Sequence, residues 1–174
     1  LASVSSVQQT IARATGGPFP SLRTLLDGCC SFEREIAEIR AKIDRSDGVV
    51  DSASNQLKAI RDRLRKQRER LRGTLDSYLR GKETSKYLQE QVVTERNGRY
   101  VLVVKAEYRN SILGIVHGSS GSGASLFLEP PSTVDINNDI VATEQDEQDE
   151  VRRILRTLAN HLRARALDVR TTLA

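Results

Sequence analysis

Hydrophobic positions in this chain follow two different periods. In two long segments, residues 51–80 and 139–173, apolar residues recur three and four positions apart, as on one face of an α-helix. Between them, the segment from Gln91 to Asn138 contains short runs of β-branched and aliphatic residues, which are typical of strands. The order predicts a small β-sheet inserted between two helices that can pair antiparallel. Such a shape resembles a stalk with a small head.

Charge gives this helical pair a predicted register. The first long segment is basic over 61–72, and the second is acidic over 144–150. If both helices meet at the sheet, Lys66 lies opposite Val151 and the two charged runs face each other. We therefore interpret the basic run as neutralised mainly by the acidic one. The apolar positions predicted to pack midway along the pair are Ile60, Leu64, Leu155 and Leu158.

The predicted sheet is antiparallel and has about four strands. Asn97-Gly98 joins the runs VVTER and RYVLVVK, and this dipeptide is a strong signal for a tight hairpin because both of its residues readily adopt positive φ. Two further runs, SILGIVH and ASLFLE, are joined by GSSGSG over residues 118–123. Pro130-Pro131 is expected to end the sheet.

Shorter helices are predicted before residue 50. One spans residues 1–14, and an apolar turn follows over 22–26. The next helix is expected to be capped by Ser31 and to end at Asp47-Gly48. The predicted class is α+β, mainly α. Its predicted regions are the core helices over 1–50, the outgoing helix over 51–90, the sheet over 91–131 and the return helix over 132–174.

Composition limits the class of protein and the cellular location that we expect. Aromatic residues make up 4% of the chain and charged residues 29%, which suits long solvated helices. No stretch approaches the roughly 20 apolar residues that span a bilayer, and no signal peptide is visible. Cys29 and Cys30 are adjacent, so two reduced thiols and a cytoplasmic location are expected. The chain has no Met, so we expect a piece of a longer protein.

The sequence predicts no catalytic, cofactor or metal site. The GSSGSG loop lacks the Gly-Lys-Ser/Thr ending of a phosphate-binding loop, and a strand rather than a helix is predicted after it. His117 and His161 are the only histidines, and no nucleophile or ligand set accompanies either. We interpret Glu107 and Glu129 as isolated carboxylates. A free-standing enzyme is therefore poorly supported.

A contact surface on the sheet is the predicted functional feature. Cations and hydroxyls expected near one end of the sheet could approach backbone phosphates without reading bases. The predicted contact residues are Arg99, Lys105, Arg109, His117, Ser119, Ser120 and Ser122. Two alternatives remain open: an ordinary soluble surface, with the GSSGSG loop as a flexible tip, or a structural coiled-coil arm that docks on a protein or a ribosome without a direct grip on DNA.

Three motifs carry a resemblance to a known family. They are DSASNQLKAIRDRLR at 51–65, YLRGKETSKYLQEQVVTERNGRYVLVVKAEYR at 78–109 and GIVHGSSGSGASLFLEP at 114–130. The chain resembles the second-type bacterial MutS proteins from about Gly17 to Asn160. It departs from the family after His117, where Gly118 replaces the usual acidic residue.

The resemblance implies a role and partners. The matching family region consists of core and lever helices with a clamp inserted between the lever arms. Family members are similar to MutS in forming ATP-dependent dimers that encircle nucleic acid. They usually add a C-terminal Smr nuclease domain, and some are implicated in ribosome rescue. These MutS paralogues are linked to suppressing recombination rather than to mismatch repair. The resemblance therefore implies a non-catalytic lever and clamp, with a role in DNA repair or suppression of recombination, that contacts DNA, possibly branched, or ribosomal RNA. ATP and Mg²⁺, a homodimer and endonuclease activity are implied for the full-length protein.

Overall fold

A computed structural model describes residues 6, 9, 10, 30–46 and 48–173 of this chain. Apart from residues 6, 9 and 10, the predicted helix over 1–14 lies outside the described residues, as do the apolar turn over 22–26, Cys29 and Asp47. The described part is α+β and mainly helical, with small antiparallel sheets, which confirms the predicted class. It falls into two compact units. Unit 1 contains residues up to Lys58 together with those from Asp149, and unit 2 spans Ala59–Gln148.

The described residues form four helices and six strands. In chain order, the helices are α1 (Glu33–Lys42), α2 (Asn55–Arg80), α3 (Pro131–Ala164) and α4 (Ala166–Leu173). The strands are β1 (Ile43–Asp44), β2 (Gly48–Val49), β3 (Leu88–Arg96), β4 (Arg99–Lys105), β5 (Ile115–Ser119) and β6 (Ser125–Glu129). Short 3₁₀ turns are Asp51–Ala53, Thr84–Tyr87 and Ala106–Tyr108.

Unit 1 is built around a small apolar core. The buried side chains of Val49, Leu57, Ile154 and Leu158 form it. The β1–β2 hairpin, in which Ile43 pairs with Val49, closes one side. Helix α2 begins at Asn55, later than the predicted start at residue 51. Ser54 caps it, because the Ser54 hydroxyl accepts a hydrogen bond of 2.9 Å from the Leu57 amide.

The α1 cap also differs from its prediction. Phe32 precedes the first helical residue, and the Ser31 hydroxyl lies a long 3.5 Å from the Glu33 amide. Phe32 itself is buried, with the Arg165 guanidinium 4.7 Å from the centre of its ring. Hydrophobic burial therefore does more than side-chain capping to fix the start of α1.

Unit 2 contains a four-stranded antiparallel sheet in the order β3-β4-β6-β5. One face of this sheet packs on the unit-2 parts of α2 and α3 through a continuous apolar core, formed by Ile60, Leu64, Leu71, Leu75, Leu88, Leu102, Val104, Ile112, Leu128, Ile136 and Ile140. The predicted Asn97-Gly98 hairpin is confirmed, with φ values of 53° and 73° and Arg96 paired with Arg99. The sheet ends at Glu129, directly before the two prolines, as predicted.

Both outer strands of this sheet are irregular. In β3 the register shifts between Leu88, which pairs with Val104, and Val93, which pairs with Leu102. In β5 it shifts between Val116 and Ser119, around Gly118 at φ 139°. The central pair, β4 with β6, runs without a shift.

The basic run of α2 pairs with the acidic run of α3, but not in the predicted register. Within unit 2, Arg61 binds Glu147 and Arg68 binds Glu144, each at 2.7 Å. The predicted register, which placed Lys66 opposite Val151, is wrong by more than one helical turn. The start of the return helix explains little of this error, because α3 begins at Pro131, directly before the predicted range.

The predicted buried face of α3 is confirmed at Leu158, which is 5% exposed, but it is wrong at Leu155. Ile154 is 4% exposed, whereas Leu155 is 41% exposed. The buried row includes polar residues that a search for apolar spacing passes over, namely Asn137, Thr143 and Glu150. Leu64 and Leu158 also belong to different cores, so the four predicted mid-pair residues do not form one cluster.

Candidate nucleic-acid interface

The predicted contact residues divide into two groups along the sheet. Arg99 lies at the start of β4, and the side chains of Arg99 and His117 both reach Glu129. Lys105 ends β4 and pairs with Ser125, next to the serine-rich loop. At about 3.3 Å per strand residue, Arg99 and Lys105 are separated by about 20 Å. The structure therefore does not bring the predicted residues together at one end.

The first group surrounds a fully buried carboxylate, Glu129. Its Oε1 accepts hydrogen bonds of 2.8 Å from Arg99 Nη1 and from Asn137 Nδ2, and its Oε2 lies 2.5 Å from His117 Nε2. Asn137 also bonds both backbone groups of Tyr100, at 3.1 and 3.2 Å. Arg99 reaches Asn138 as well. Glu129 is thus the centre of a polar network rather than an isolated carboxylate.

This network restricts what Arg99 and His117 can offer to a ligand. Both side chains are mostly buried, and the Arg99 guanidinium is paired with a carboxylate inside the fold. A buried carboxylate needs such partners because an unpaired charge in the interior is strongly unfavourable. Whether either residue also contacts a phosphate stays a prediction.

The second group consists of Lys105 and Arg109, two cations whose charge is not neutralised by a carboxylate among the described residues. Lys105 Nζ donates to the Lys86 backbone carbonyl at 3.3 Å and lies 5.8 Å from the centre of the Tyr108 ring. Arg109 is exposed. Within the described part of the chain, neither has a carboxylate partner. By contrast, Lys86 pairs with Glu83, and that hydrogen bond raises the pKa of the Lys86 ammonium.

The serine-rich loop is a turn closed by hydrogen bonds. The Ser120 amide donates to the Ser125 carbonyl and the Gly123 amide to the Ser120 carbonyl, both at 2.8 Å. The Ser120 hydroxyl accepts from the Ser125 amide at 3.1 Å and lies 3.3 Å from the Ser122 hydroxyl. Ser119 is exposed. The hydroxyls of Ser120 and Ser122 therefore hold the loop, which lies at the same end of the sheet as Lys105.

A cation that the sequence analysis left out of the site lies on the second face of the sheet. The Arg96 guanidinium stacks 4.2 Å from the centre of the Phe127 ring. Val101, Val103 and Phe127 form a small buried cluster there. Strand alternation could have found Arg96, because it is directly opposite Arg99 across the hairpin and shares its face.

The cations of α2 also divide into two sets. Arg61 and Arg68 bind acids of α3, and Arg65 binds Asp62 at 2.5 Å. The hydrogen bond from Glu144 raises the pKa of Arg68. Four others are exposed and have no acidic partner among the described residues: Arg63, Lys66, Arg70 and Arg72. Neutralisation by α3 therefore accounts for part of the basic run.

The described residues do not fit ATP with Mg²⁺. The serine-rich loop leads into strand β6 rather than into a helix, and it contains no lysine. Across residues 30–46 and 48–173, His, Cys, Asp and Glu form no group of three able to hold a metal ion. None of the described helices is both long and apolar enough to cross a membrane.

The chain has clear sequence relatives. A protein named Endonuclease MutS2 from Listeria monocytogenes serotype 4a is 42% identical over 149 residues, which cover 86% of this chain and 19% of the relative. Over this segment, the chain belongs to the MutS2 family. The Endonuclease MutS2 of Bacillus velezensis is 47% identical over 71% of the chain. The Putative endonuclease MutS2 of Bacillus subtilis is 46% identical over 70%.

MutS2 proteins are much longer than the matched region. The chain spans about a fifth of the length of the curated MutS2 relatives that it matches, with 19% covered in the Listeria protein and 15% in the Bacillus subtilis protein. No family model matches the chain. The names of these relatives describe them as endonucleases, and the resemblance expected from the sequence motifs is confirmed.

Proposed function

We propose that this chain acts as the lever and clamp region of a MutS2 protein and holds the backbone of DNA without reading its sequence. The observation that carries this proposal is the pair of uncompensated cations, Lys105 and Arg109, beside a loop of hydroxyls and amides. Cations and hydroxyls are the groups that most often contact phosphate oxygens. Family membership supports DNA as the ligand.

The expected binding is weak and electrostatic. Two to four phosphate contacts correspond to a dissociation constant on the order of 10⁻⁴ to 10⁻⁶ M. The logarithm of the association constant should then fall with the logarithm of salt concentration, with a slope of about −2 to −4. Sequence preference is not expected, because the contacts are to phosphates rather than to base edges.

Fluorescence anisotropy with a labelled duplex at several salt concentrations tests the proposal. Replacing Lys105 and Arg109 by Ala should weaken binding to unrelated duplexes equally and flatten the slope by about two units. The matched control replaces Arg34 and Arg45 of unit 1, which are exposed and equally charged. A Lys105/Arg109 variant that binds like this control would refute the proposed site.

The form of nucleic acid is part of the same proposal. Duplex DNA, branched DNA and ribosomes are titrated in parallel at two salt concentrations. Tighter binding to branched DNA than to duplex would identify the junction as the preferred target. If binding to ribosomes depends on salt and is stronger than binding to duplex or branched DNA, ribosomal RNA would instead be the preferred target.

A second candidate function is docking on a protein without a direct grip on DNA. The observation that favours it is Leu113, which is 80% exposed just before β5, with the half-exposed Ile115 nearby. Exposed aliphatic side chains of this kind are suited to contact with a protein partner, whereas they are poorly suited to contact with phosphates. Replacing Leu113 by Ser should abolish ribosome binding in this case, and the parent chain itself should not bind duplex DNA.

ATP-dependent dimerisation and nucleic-acid cleavage are proposals for the full-length MutS2 protein. We propose no catalytic role for residues 30–46 and 48–173. This proposal is supported by the absence, within those ranges, of a metal-binding group of side chains.

A further inference from the structure

Helix α2 carries a row of cations that no acid of the described chain pairs with. The row consists of Arg63, Lys66 and Arg70, and we call it the outer row. All three side chains are exposed. Arg72 also lacks an acidic partner, but it lines a different side of α2, the groove that the helix forms with Val93 and Tyr100.

The spacing of the outer row fits a linear polyanion. At 100° per residue, the three positions fall within an arc of about 60° on one side of the helix. From Arg63 to Arg70 the helix rises about 10 Å, at about 1.5 Å per residue. A single DNA strand places a phosphate every 3.4 Å or so along the helix axis, so about three phosphates lie alongside the row.

The acids close to the outer row leave it cationic. Asp62 is bound by Arg65, whereas Glu147 and Glu144 are bound by Arg61 and Arg68. Glu69 is exposed next to Arg70 and lowers the charge of this side, but it forms no ion pair with the row. The three cations and this carboxylate together leave a positive strip.

The surroundings of the outer row favour phosphates over an acidic protein. Small residues lie on the same side of the helix, at Ala59, Gly73 and Ser77. The large hydrophobic residues exposed in the described chain all lie outside α2. Protein interfaces depend on buried aromatic or aliphatic anchors, and phosphate binding does not.

We infer that the outer row is a second contact for the nucleic-acid backbone, made by the helix itself and additional to Lys105 and Arg109. This inference rests on the proposed function, because it requires that the chain bind nucleic acid. It adds to that function a helical surface that runs along the backbone. With all three cations engaged, the row should contribute about −3 to the salt slope, at about −0.9 for each neutralised phosphate, in addition to the roughly −2 to −4 expected of the sheet contacts.

The test compares two variants with equal loss of charge. One replaces Arg63, Lys66 and Arg70 by Gln, which retains helix propensity. The control replaces Arg34, Arg45 and Arg156 by Gln, all of which are exposed in unit 1. Circular dichroism checks that both retain the helical content of the parent chain. Each is titrated with a labelled duplex of arbitrary sequence and, separately, with polyglutamate.

The expected result is a salt slope flattened by two to three units for the outer-row variant and by less than one unit for the control. If the parent chain binds duplex in a salt-dependent way and both variants keep its slope, the inference fails and the proposed function stands. If the parent chain does not bind duplex at all, the proposed function fails with it. Binding of polyglutamate through the row, without duplex binding, would overturn the inference in favour of an acidic protein.

Discussion

The Glu129 carboxylate is fully buried and forms hydrogen bonds with a guanidinium, an imidazole and an amide. The residues that surround it come from β4, β5 and α3, so one side chain connects three elements of unit 2. Removing one member of a buried charged network is usually costly, because the remaining partners lose their hydrogen bonds without regaining water. Its role is therefore expected to be structural.

Replacing Glu129 by Gln should lower the stability of unit 2 by about 2–3 kcal/mol. The amide oxygen can still accept from Arg99 and Asn137, but Gln carries no negative charge to pair with the guanidinium, and its NH2 group cannot accept a hydrogen bond from His117. All four tyrosines lie within unit 2, so tyrosine fluorescence during urea unfolding reports on this unit. Glu107→Gln, at an exposed carboxylate, is the control and should stay within about 0.5 kcal/mol of the parent. Equal midpoints for both variants would contradict the structural role.

Glu150 gives unit 1 a dependence on pH. Hydrogen bonds from Arg153 and, more weakly, from Ser54 lower the pKa of its carboxyl below the ordinary 4.5, although burial opposes them. Because the folded-state pKa is the lower one, the ionised carboxylate stabilises the fold above about pH 4.5. That contribution is lost as the pH falls through the folded-state pKa.

Comparison of the parent chain with Glu150→Gln tests this dependence. The parent should melt at a higher temperature at pH 7, and the difference should shrink progressively below pH 4.5. Thermal melting followed by circular dichroism at pH 7 and pH 3 measures the difference. A gap in melting temperature that stays constant between these pH values would show that ionisation of Glu150 does not stabilise the unit.

Among the elements, α3 shows what the sequence could and could not predict. The Asn97-Gly98 hairpin and the end of the helical spacing at residue 80 depend on local chemistry, and both were predicted correctly. The attraction between the basic and acidic runs was also predicted correctly, because the opposite charges are visible in the sequence. The buried face of α3 depends on partners far along the chain. Asn137 is buried because it bonds the backbone of Tyr100, and Glu150 is buried beside Ser54. A pattern search that counts only apolar residues cannot find these positions.

The same reasoning applies to the candidate site. The exposure of Arg109 and the position of Lys105 at the end of a strand follow from local sequence, so both could be predicted. The engagement of Arg99 and His117 by Glu129 could not, because the strand β5 that carries His117 meets β6 through a shifted register. The sequence contains no local signal for such a shift beyond Gly118.

Alanine substitutions at two adjacent positions test the buried face of α3. Ile154→Ala should destabilise unit 1 by about 2–4 kcal/mol, because it opens a cavity beside Leu57 and Leu158. Leu155→Ala, at the neighbouring half-exposed position, should cost under about 1 kcal/mol. Denaturation followed by circular dichroism compares the two variants. If Leu155→Ala destabilised unit 1 more than Ile154→Ala, the buried face of α3 would instead be the one that apolar spacing predicted.

For the molecule as a whole, charge is the property most relevant to its proposed partner. The formal net charge is +4, although several ion pairs neutralise cations of α2 and α3. Among the described cations without a carboxylate partner, Lys105, Arg109 and the outer row lie on the unit-2 surface. Binding that responds strongly to salt is therefore expected of the intact chain.

The chain should show no turnover of ATP and no cleavage of nucleic acid. The reason is that its serine-rich loop does not lead into a helix start as a phosphate cradle does, and its described carboxylates form no group able to hold a metal ion. Phosphate release and plasmid nicking assays, both with Mg²⁺, measure these activities. Turnover that survives rigorous purification and scales with the concentration of the chain would overturn this expectation.

The irregular outer strands of the four-stranded sheet also affect how copies of the molecule behave when crowded. An outer strand with an even ladder of free amides and carbonyls is a template on which another chain can add a strand and begin a fibril. In this sheet β3 and β5 both carry register shifts, while the regular pairing is confined to the interior. The half-exposed Val92 and Ile115 lie on these broken edges. The sheet can thus expose aliphatic side chains at its rim without offering a neighbour a continuous edge for aggregation.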